Sequence, residues 1–323
     1  MSDPTVPAAS IADIRAAQAR LGPIAFRTPL LPCFAADTRR EVHLKLDNLQ
    51  PTGSFKIRPV GNAVLARPAR SLRAGIYTVS SGNSALAVAH LAAKLGIPAA
   101  AVVSPGAPQM KLDGLRALGA RVVELPFDAW WRAVEMRCVE GESGAYIDAA
   151  RDPAAIAGDG TIGVEILEQL PQVDAIFTPL GSGALACGIA CAMRALNPDV
   201  KVIACELESA RPFTEALRAG RVVRTEAHAG FVSGVGFHSL LPELWPLARE
   251  AIAGALTVSL AEVAAAIALL AGRNKVIAEG AGAIPVAAAL SGRHPYRRVC
   301  AVVSGGNLDV AKLSTILAGG VPD

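Results

Sequence analysis

An α/β fold built from two mainly parallel, twisted sheets flanked by helices is the fold class this sequence predicts. Three observations predict it. Short β-branched runs alternate with Ala- and Leu-rich helical segments along almost the whole chain. The strand runs are continuously apolar rather than alternating, as in strands covered on both faces. The 323 residues are 52% apolar and 18% charged, which allows a large core and excludes a disordered chain. That length suits about two domains.

The first helix is expected from about Ser10, where S-x-x-D makes a capping-box-like start. Strands are then expected at 42–46, 76–80, 99–103, 120–125, 144–148, 173–180, 200–206 and 299–304. Helical stretches lie between them at 84–96, 109–119, 161–170 and 183–196. No internal repeat or low-complexity segment interrupts the alternation. Residues 54–152 carry four strand-helix units and read as a small domain. Residues 1–53 and 153–323 read as a large one, with the chain crossing between them twice.

Bulk properties exclude several function classes. The net charge is +3 with acids and bases interspersed, so no polyanion-binding surface and no membrane-surface patch is expected. The N-terminus has no basic segment followed by an apolar run, and no apolar stretch reaches spanning length. The six cysteines lack C-x-x-C spacing and read as free thiols in a reducing cytoplasm. The expected partner is a small molecule, with neither nucleic acid nor membrane.

In open α/β sheets ligands bind beyond the carboxyl ends of strands, so four post-strand loops carry the functional reading. Ser80-Ser81-Gly82-Asn83-Ser84 opens a helix with outward N–H groups, either a carboxylate cradle or an ordinary N-cap. Gly181-Ser182-Gly183-Ala184-Leu185 also opens a helix and can admit a phosphate. It loosely matches G-x-G-x-x-A, with Glu206 about 25 residues on, which keeps a nicotinamide dehydrogenase open as a rival. Ser304-Gly305-Gly306-Asn307 ends the last strand, either a presented hydroxyl or a plain turn. The fourth loop, QPTGSFK, has Lys56 beginning a helix. Partial burial and the helix's positive end both disfavour the lysine charge there, which makes the amine a nucleophile near neutral pH. The alternative is an exposed first-turn lysine. A phosphate for the glycine loop, a carbonyl for Lys56 and a polar ring for Asn83 and Ser304 together ask for pyridoxal 5′-phosphate.

With these residues the chain resembles the fold-type II pyridoxal-phosphate enzymes, within them the threonine/serine dehydratase and serine racemase group. The strings that carry the resemblance are LKLDNLQPTGSFKIR (44–58), SSGNS (80–84), GDGTIGVEILEQL (158–170), PLGSGALACGIA (179–190), AEGAGA (278–283) and VVSGGNLD (302–309). They occur in the family's order over nearly the whole chain. The resemblance implies a tryptophan synthase beta-like fold, a homodimer and pyridoxal 5′-phosphate as cofactor. It implies an ammonia-lyase that converts a 3-hydroxy amino acid (serine, threonine or an analogue) to a 2-oxo acid and ammonia by α,β-elimination. An amino-acid racemase is the alternative. By position, Lys56 would be the Schiff-base lysine and general base, Phe55 would pack on the ring, and Asn83 would bond the ring hydroxyl. Gly181, Ser182, Gly183, Ala184 and Leu185 would cradle the phosphate, and Ser304 would face the ring nitrogen. Ser80, Ser81, Gly82 and Ser84 would hold the substrate carboxylate.

The chain departs from the pattern of that group in several places. Ser84 stands where dehydratases commonly have His, and Val232-Ser233-Gly234-Val235 stands for A-D-G-(I/V). Both changes alter pocket polarity and leave room for a bulkier hydroxy amino acid. Ser182 and Ala184 replace usual glycines. Ser81, on the face opposite the lysine in racemases, keeps a second proton carrier available. The cation site of related enzymes is matched by Glu206 but has Pro212 in place of an acid, so no metal is expected. Sixteen residues follow Asn307, from which no appended regulatory domain is expected.

Overall fold

The structure is a computed structural model and describes residues 5–35, 40–107 and 109–323. Ten strands are described: β1 (Leu30–Pro32), β2 (Glu41–Lys45), β3 (Ile76–Val79), β4 (Ala99–Val103), β5 (Arg121–Glu124), β6 (Ala145–Tyr146), β7 (Ala175–Pro179), β8 (Lys201–Leu207), β9 (Gly254–Val258) and β10 (Arg298–Val302). The helices of the first half are α1 (Ile11–Leu21), α2 (Ile57–Leu65), α3 (Asn83–Leu95), α4 (Gln109–Ala117), α5 (Phe127–Met136) and α6 (Pro153–Gln169). Those of the second half are α7 (Ala184–Leu196), α8 (Pro212–Ala219), α9 (Trp245–Ala251), α10 (Leu260–Leu269), α11 (Gly280–Leu290) and α12 (Val310–Leu317).

The strands form two sheets. The larger has the order β1-β2-β10-β7-β8-β9 and the smaller β5-β4-β3-β6. Every pairing is parallel except that of β1 with β2. Side chains alternate across the large sheet with the period of two that a strand imposes. Ile176, Val202 and Cys300 face a core shared with α6 and α7. Ala175, Phe177, Ile203 and Ala301 face a second core shared with α10 and α11. Both faces are covered, so the strands carry apolar residues on both faces, with Lys45 of β2 and Glu206 of β8 as buried charged residues among them. In the small sheet β3 and β4 lie between β5 and β6, and Leu91, Val103, Leu115 and Ile147 are fully buried around it. Among the described residues no helix is long and apolar enough to cross a membrane.

The capping box expected at the first helix is present: the Asp13 N–H donates to Ser10 Oγ at 3.1 Å, and the Ser10 N–H donates back to Asp13 Oδ2 at 3.0 Å. Helix α6 begins at Pro153, well before the expected 161, with Asp152 as its N-cap. Its glycines are the reason. A Cβ at Gly158 would lie 2.6 Å from the Arg58 carbonyl oxygen, and one at Gly188 of α7 would lie 2.6 Å from Asp159 Cβ. Here glycine marks backbone-to-backbone packing of α6 on α2 and α7, not a break in the helix.

Candidate active site

The loop before α2 and the loop after β10 are laced together by backbone bonds. The Phe55 N–H donates to the Ser304 carbonyl at 2.8 Å, and the Gly306 N–H donates to the Gly53 carbonyl at 2.9 Å. Ser54 and Gly305 form an antiparallel bridge. Gly53 sits at φ 69°, which its missing Cβ permits. These bonds hold Lys56, the N-cap of α2, beside buried Ser304 at the carboxyl edge of the large sheet. Lys56 is partly accessible, and its Nζ lies 4.6 Å from the Phe55 ring centroid. Burial holds the amine below the usual lysine range, against the opposing pull of the Asp159 and Asp148 carboxylates.

The 80–84 loop joins the same edge through Asn83. The Asn83 amide donates to Glu279 Oε1 at 2.7 Å, and its oxygen accepts from Asn307 Nδ2 at 2.8 Å. One Asn83 N–H remains free for a ligand. The hydroxyl of Ser80 accepts from the Gly82 N–H at 3.1 Å, which shapes the turn. Ser81, Gly82 and Ser84 are partly accessible on it. At the N-terminus of α3 the first N–H groups have no acceptor within the helix.

The glycine loop follows β7 and opens α7. Gly183 takes φ 97°, and a Cβ there would meet no atom within 4 Å, so open space lies against the loop. A Cβ on Gly181 would collide with the Gly234 carbonyl, so the 232–235 segment closes over the loop. Phe55 packs against the core that contains Ala184 and Leu185. Ser182 is partly accessible, and its hydroxyl accepts from the Ala184 N–H at 3.5 Å. Two buried hydroxyls near these loops, Ser54 Oγ and Thr178 Oγ1, have no partner. His238 lies outside this cluster, exposed and bonded at 3.0 Å to the Thr225 carbonyl.

The Pyridoxal-phosphate dependent enzyme family model matches residues 22–305. The chain belongs to this family. It is 36% identical to an L-threonine ammonia-lyase of Thermotoga maritima over 317 residues, covering 97% of this chain and 79% of that one. It is 33% identical over 315 residues to the L-threonine dehydratase catabolic TdcB of Escherichia coli strain K12, covering 95% of each. The structure of maize serine racemase superposes with a TM-score of 0.89 at 30% identity, covering 97% of this chain and 98% of that one. The fold is that of fold-type II pyridoxal-phosphate enzymes, and pyridoxal 5′-phosphate is the cofactor.

The residues present fit that cofactor. A partly accessible amine of lowered basicity suits its aldehyde. The orphan N–H groups of a helix N-terminus, next to open space at Gly183, suit its phosphate. Ser304 is neutral and 1% exposed at the end of β10.

Glu279 belongs to this constellation and went unassigned from the sequence, although it lies inside the AEGAGA motif. It is the N-cap of α11, 4% exposed, and its N–H donates to the Gly305 carbonyl at 3.0 Å. The only signal was a lone acid in an otherwise apolar run. Burial raises its carboxyl to about 7, against the Asn83 bond and the Lys111 charge, which lower it. A native pKa above the ordinary 4.5 means the folded state holds a proton that the unfolded state has released between pH 4.5 and about 7. Stability from this group is present below 4.5 and lost as pH rises through about 7. Glu279→Gln should therefore gain stability over wild type across that window, by up to about 3 kcal/mol, and the gain should level off above it. Melting curves at stepped pH check this; a gain that does not vary with pH contradicts it.

Glu206 is accounted for within the protein. Its carboxylate accepts from the Phe213 and Thr214 N–H groups at 2.8 and 2.9 Å and from the Thr214 hydroxyl at 2.6 Å, capping α8. No group of three or more His, Cys, Asp or Glu among the described residues is arranged to hold a metal ion.

Proposed function

We propose that this chain is an ammonia-lyase that converts a 3-hydroxy amino acid, serine, threonine or an analogue, to a 2-oxo acid and ammonia. The observation that carries the reading is the Lys56 amine, of lowered basicity and anchored beside Ser304 by the Phe55–Ser304 backbone bond. Relatives named L-threonine ammonia-lyase and L-threonine dehydratase support the reaction class. When bound, pyridoxal 5′-phosphate supplies an aldehyde for the substrate amine and a conjugated ring that accepts the electron pair left at the α-carbon.

The residues divide the remaining work. Lys56 would hold the cofactor, and its neutral amine would take the α-proton as general base. Phe55 would pack on the ring, and the free Asn83 N–H would bond its hydroxyl. Ser304 would meet the ring nitrogen as a neutral partner, which would leave the nitrogen largely unprotonated and make the ring a moderate electron sink. This suits loss of a β-hydroxyl, where the leaving group carries charge away. The N–H groups of residues 181–185 would bind the phosphate at the α7 N-terminus. Ser80, Ser81, Gly82 and Ser84 orient the substrate carboxylate. A small domain over 54–152 and a large one over 1–53 and 153–323, a cytoplasmic location and a homodimer belong to the same proposal. The described cysteines are all free, in keeping with a reducing compartment.

Racemisation is the second reading. It rests on Ser81, partly accessible on the 80–84 turn, and on the likeness to maize serine racemase. Holoenzyme incubated with individual 3-hydroxy amino acids should release ammonia and 2-oxo acid in equal amounts. Inversion with little ammonia would reverse the order of the two readings. Ser81→Ala should spare elimination from an L-substrate and suppress inversion, measured by chiral chromatography; equal loss of both refutes that division.

A further inference from the structure

Between α8 and α9, residues 229–237 read AGFVSGVGF and carry no charged side chain. Phe231, Val232 and Val235 are buried in the core shared with α10 and α11, which anchors the segment. Gly234 and Gly236 take φ 88° and 90°, where L side chains are strained. A Cβ on Gly236 would lie 2.4 Å from Ala229 Cβ, so the segment folds back on its own start. The next residue is pinned as well: the Thr225 N–H donates to the His238 carbonyl at 2.7 Å, and the His238 ring bonds the Thr225 carbonyl at 3.0 Å. Between these anchors Phe237 is turned outward and is 47% exposed.

A single phenylalanine at a protein surface is ordinary; the place of this one is not. A Cβ on Gly181 would lie 3.0 Å from Phe237 Cε2 and 2.4 Å from the Gly234 carbonyl oxygen, so the ring edge rests on the glycine loop. At the other end of the segment, a Cβ on Gly280 would lie 2.7 Å from Val232 Cγ2. Gly280 follows Glu279, which accepts the Asn83 bond. The segment is therefore a wall that touches both the glycine loop and the start of α11. It offers an apolar ring, glycine backbone and the Ser233 hydroxyl. Across the site, the 80–84 turn offers serine hydroxyls and the Asn83 amide. The cation whose charge reaches this constellation is Lys111, and it acts on Glu279.

We infer that Phe237 sets the substrate specificity of this site: its uncovered ring is a wall of the side-chain pocket, which takes a 3-hydroxy amino acid bearing an uncharged apolar group, an aromatic ring best of all, on the β-carbon. With the substrate carboxylate held at the 80–84 turn, the β-substituent extends away from that turn toward the 232–237 wall. An apolar group there covers the Phe237 ring and removes apolar surface from water on both partners. A ring against a ring adds edge or offset-stacking attraction to that burial. A carboxylate in the same place would lose hydration against a wall that offers it no cation. The inference rests on the ammonia-lyase reading and on residues 80–84 holding the carboxylate.

The test measures kcat/KM of the holoenzyme for ammonia release from L-serine, 3-phenylserine and 3-hydroxyaspartate. Wild type should favour 3-phenylserine over 3-hydroxyaspartate, and Phe237→Ala should shrink the ratio of 3-phenylserine to L-serine by about tenfold. Phe237→Leu, which keeps an apolar wall without the ring, should fall between the two. An unchanged ratio in Phe237→Ala overturns the inference. So does a preference for 3-hydroxyaspartate, which would place Lys111 rather than Phe237 against the side chain. Calorimetric binding of L-phenylalanine and L-alanine, which have no β-hydroxyl to lose, reads the pocket apart from the reaction. Wild type should bind L-phenylalanine the more tightly, and Phe237→Ala should remove the difference; a difference that survives the substitution overturns the inference. Ammonia from none of the three hydroxy amino acids, with that binding difference present and lost in Phe237→Ala, would instead overturn the lyase reading and support the pocket.

Discussion

Changing Lys56 to alanine should abolish turnover while leaving the protein folded. Loss of the general base alone costs about 10²–10⁴-fold, and loss of the anchoring amine removes the covalent hold on the cofactor in addition. Stability should not fall, because the substitution removes an amine whose burial already disfavours its charge. Borohydride treatment followed by peptide mapping should find the cofactor fixed to residues 54–58 in wild type and nowhere in the variant. Activity within tenfold of wild type, or a cofactor adduct on another lysine, would sink the assignment.

The second large effect is on stability and lies two residues away. Arg58 is 2% exposed and grips both Asp47, at 2.7 and 3.1 Å, and Glu165, at 2.7 and 2.9 Å. Lys45, 0% exposed, completes a buried cluster of two cations and two carboxylates that ties β2, α2 and α6 together. Arg58→Met leaves one carboxylate charge buried and unbalanced, which should cost about 3–5 kcal/mol. Arg58→Lys keeps the charge but loses the planar fork, and should fall between the two. Denaturant unfolding monitored by circular dichroism measures both. A loss below about 1 kcal/mol for Arg58→Met would mean that water reaches the cluster and screens it.

Much of this arrangement was legible before any coordinates. The apolar run at 99–103 became β4 with the same limits, and the capping box at Ser10 formed as written. Lys56, Asn83, Gly183 and Ser304 could be singled out because each sits among small residues in a loop between a strand and the next helix, where polar groups are not needed for packing. What escaped did so for physical reasons. β1 is three residues long, ends in Pro32 and pairs only with β2 at the sheet edge. β9 begins with Gly254 at the opposite edge and is only partly covered. The start of α6 was obscured because its glycines read as breakers, when their purpose is close approach. Glu279 is a single acid in an apolar, glycine-rich string. Nothing local distinguishes such an acid from a solvated one until the opposing chain is folded over it.

The ladder between residues 53–55 and 304–306 also bears on biosynthesis. Lys56 takes its setting from backbone partners almost 250 residues downstream. While a ribosome is still making the first three hundred residues, those partners do not exist, however complete the small sheet already is. If Lys56 is the coenzyme lysine, as proposed, capture of the vitamin-derived coenzyme would await the last strand and the turn beyond it, and coenzyme uptake would report on a fully threaded chain.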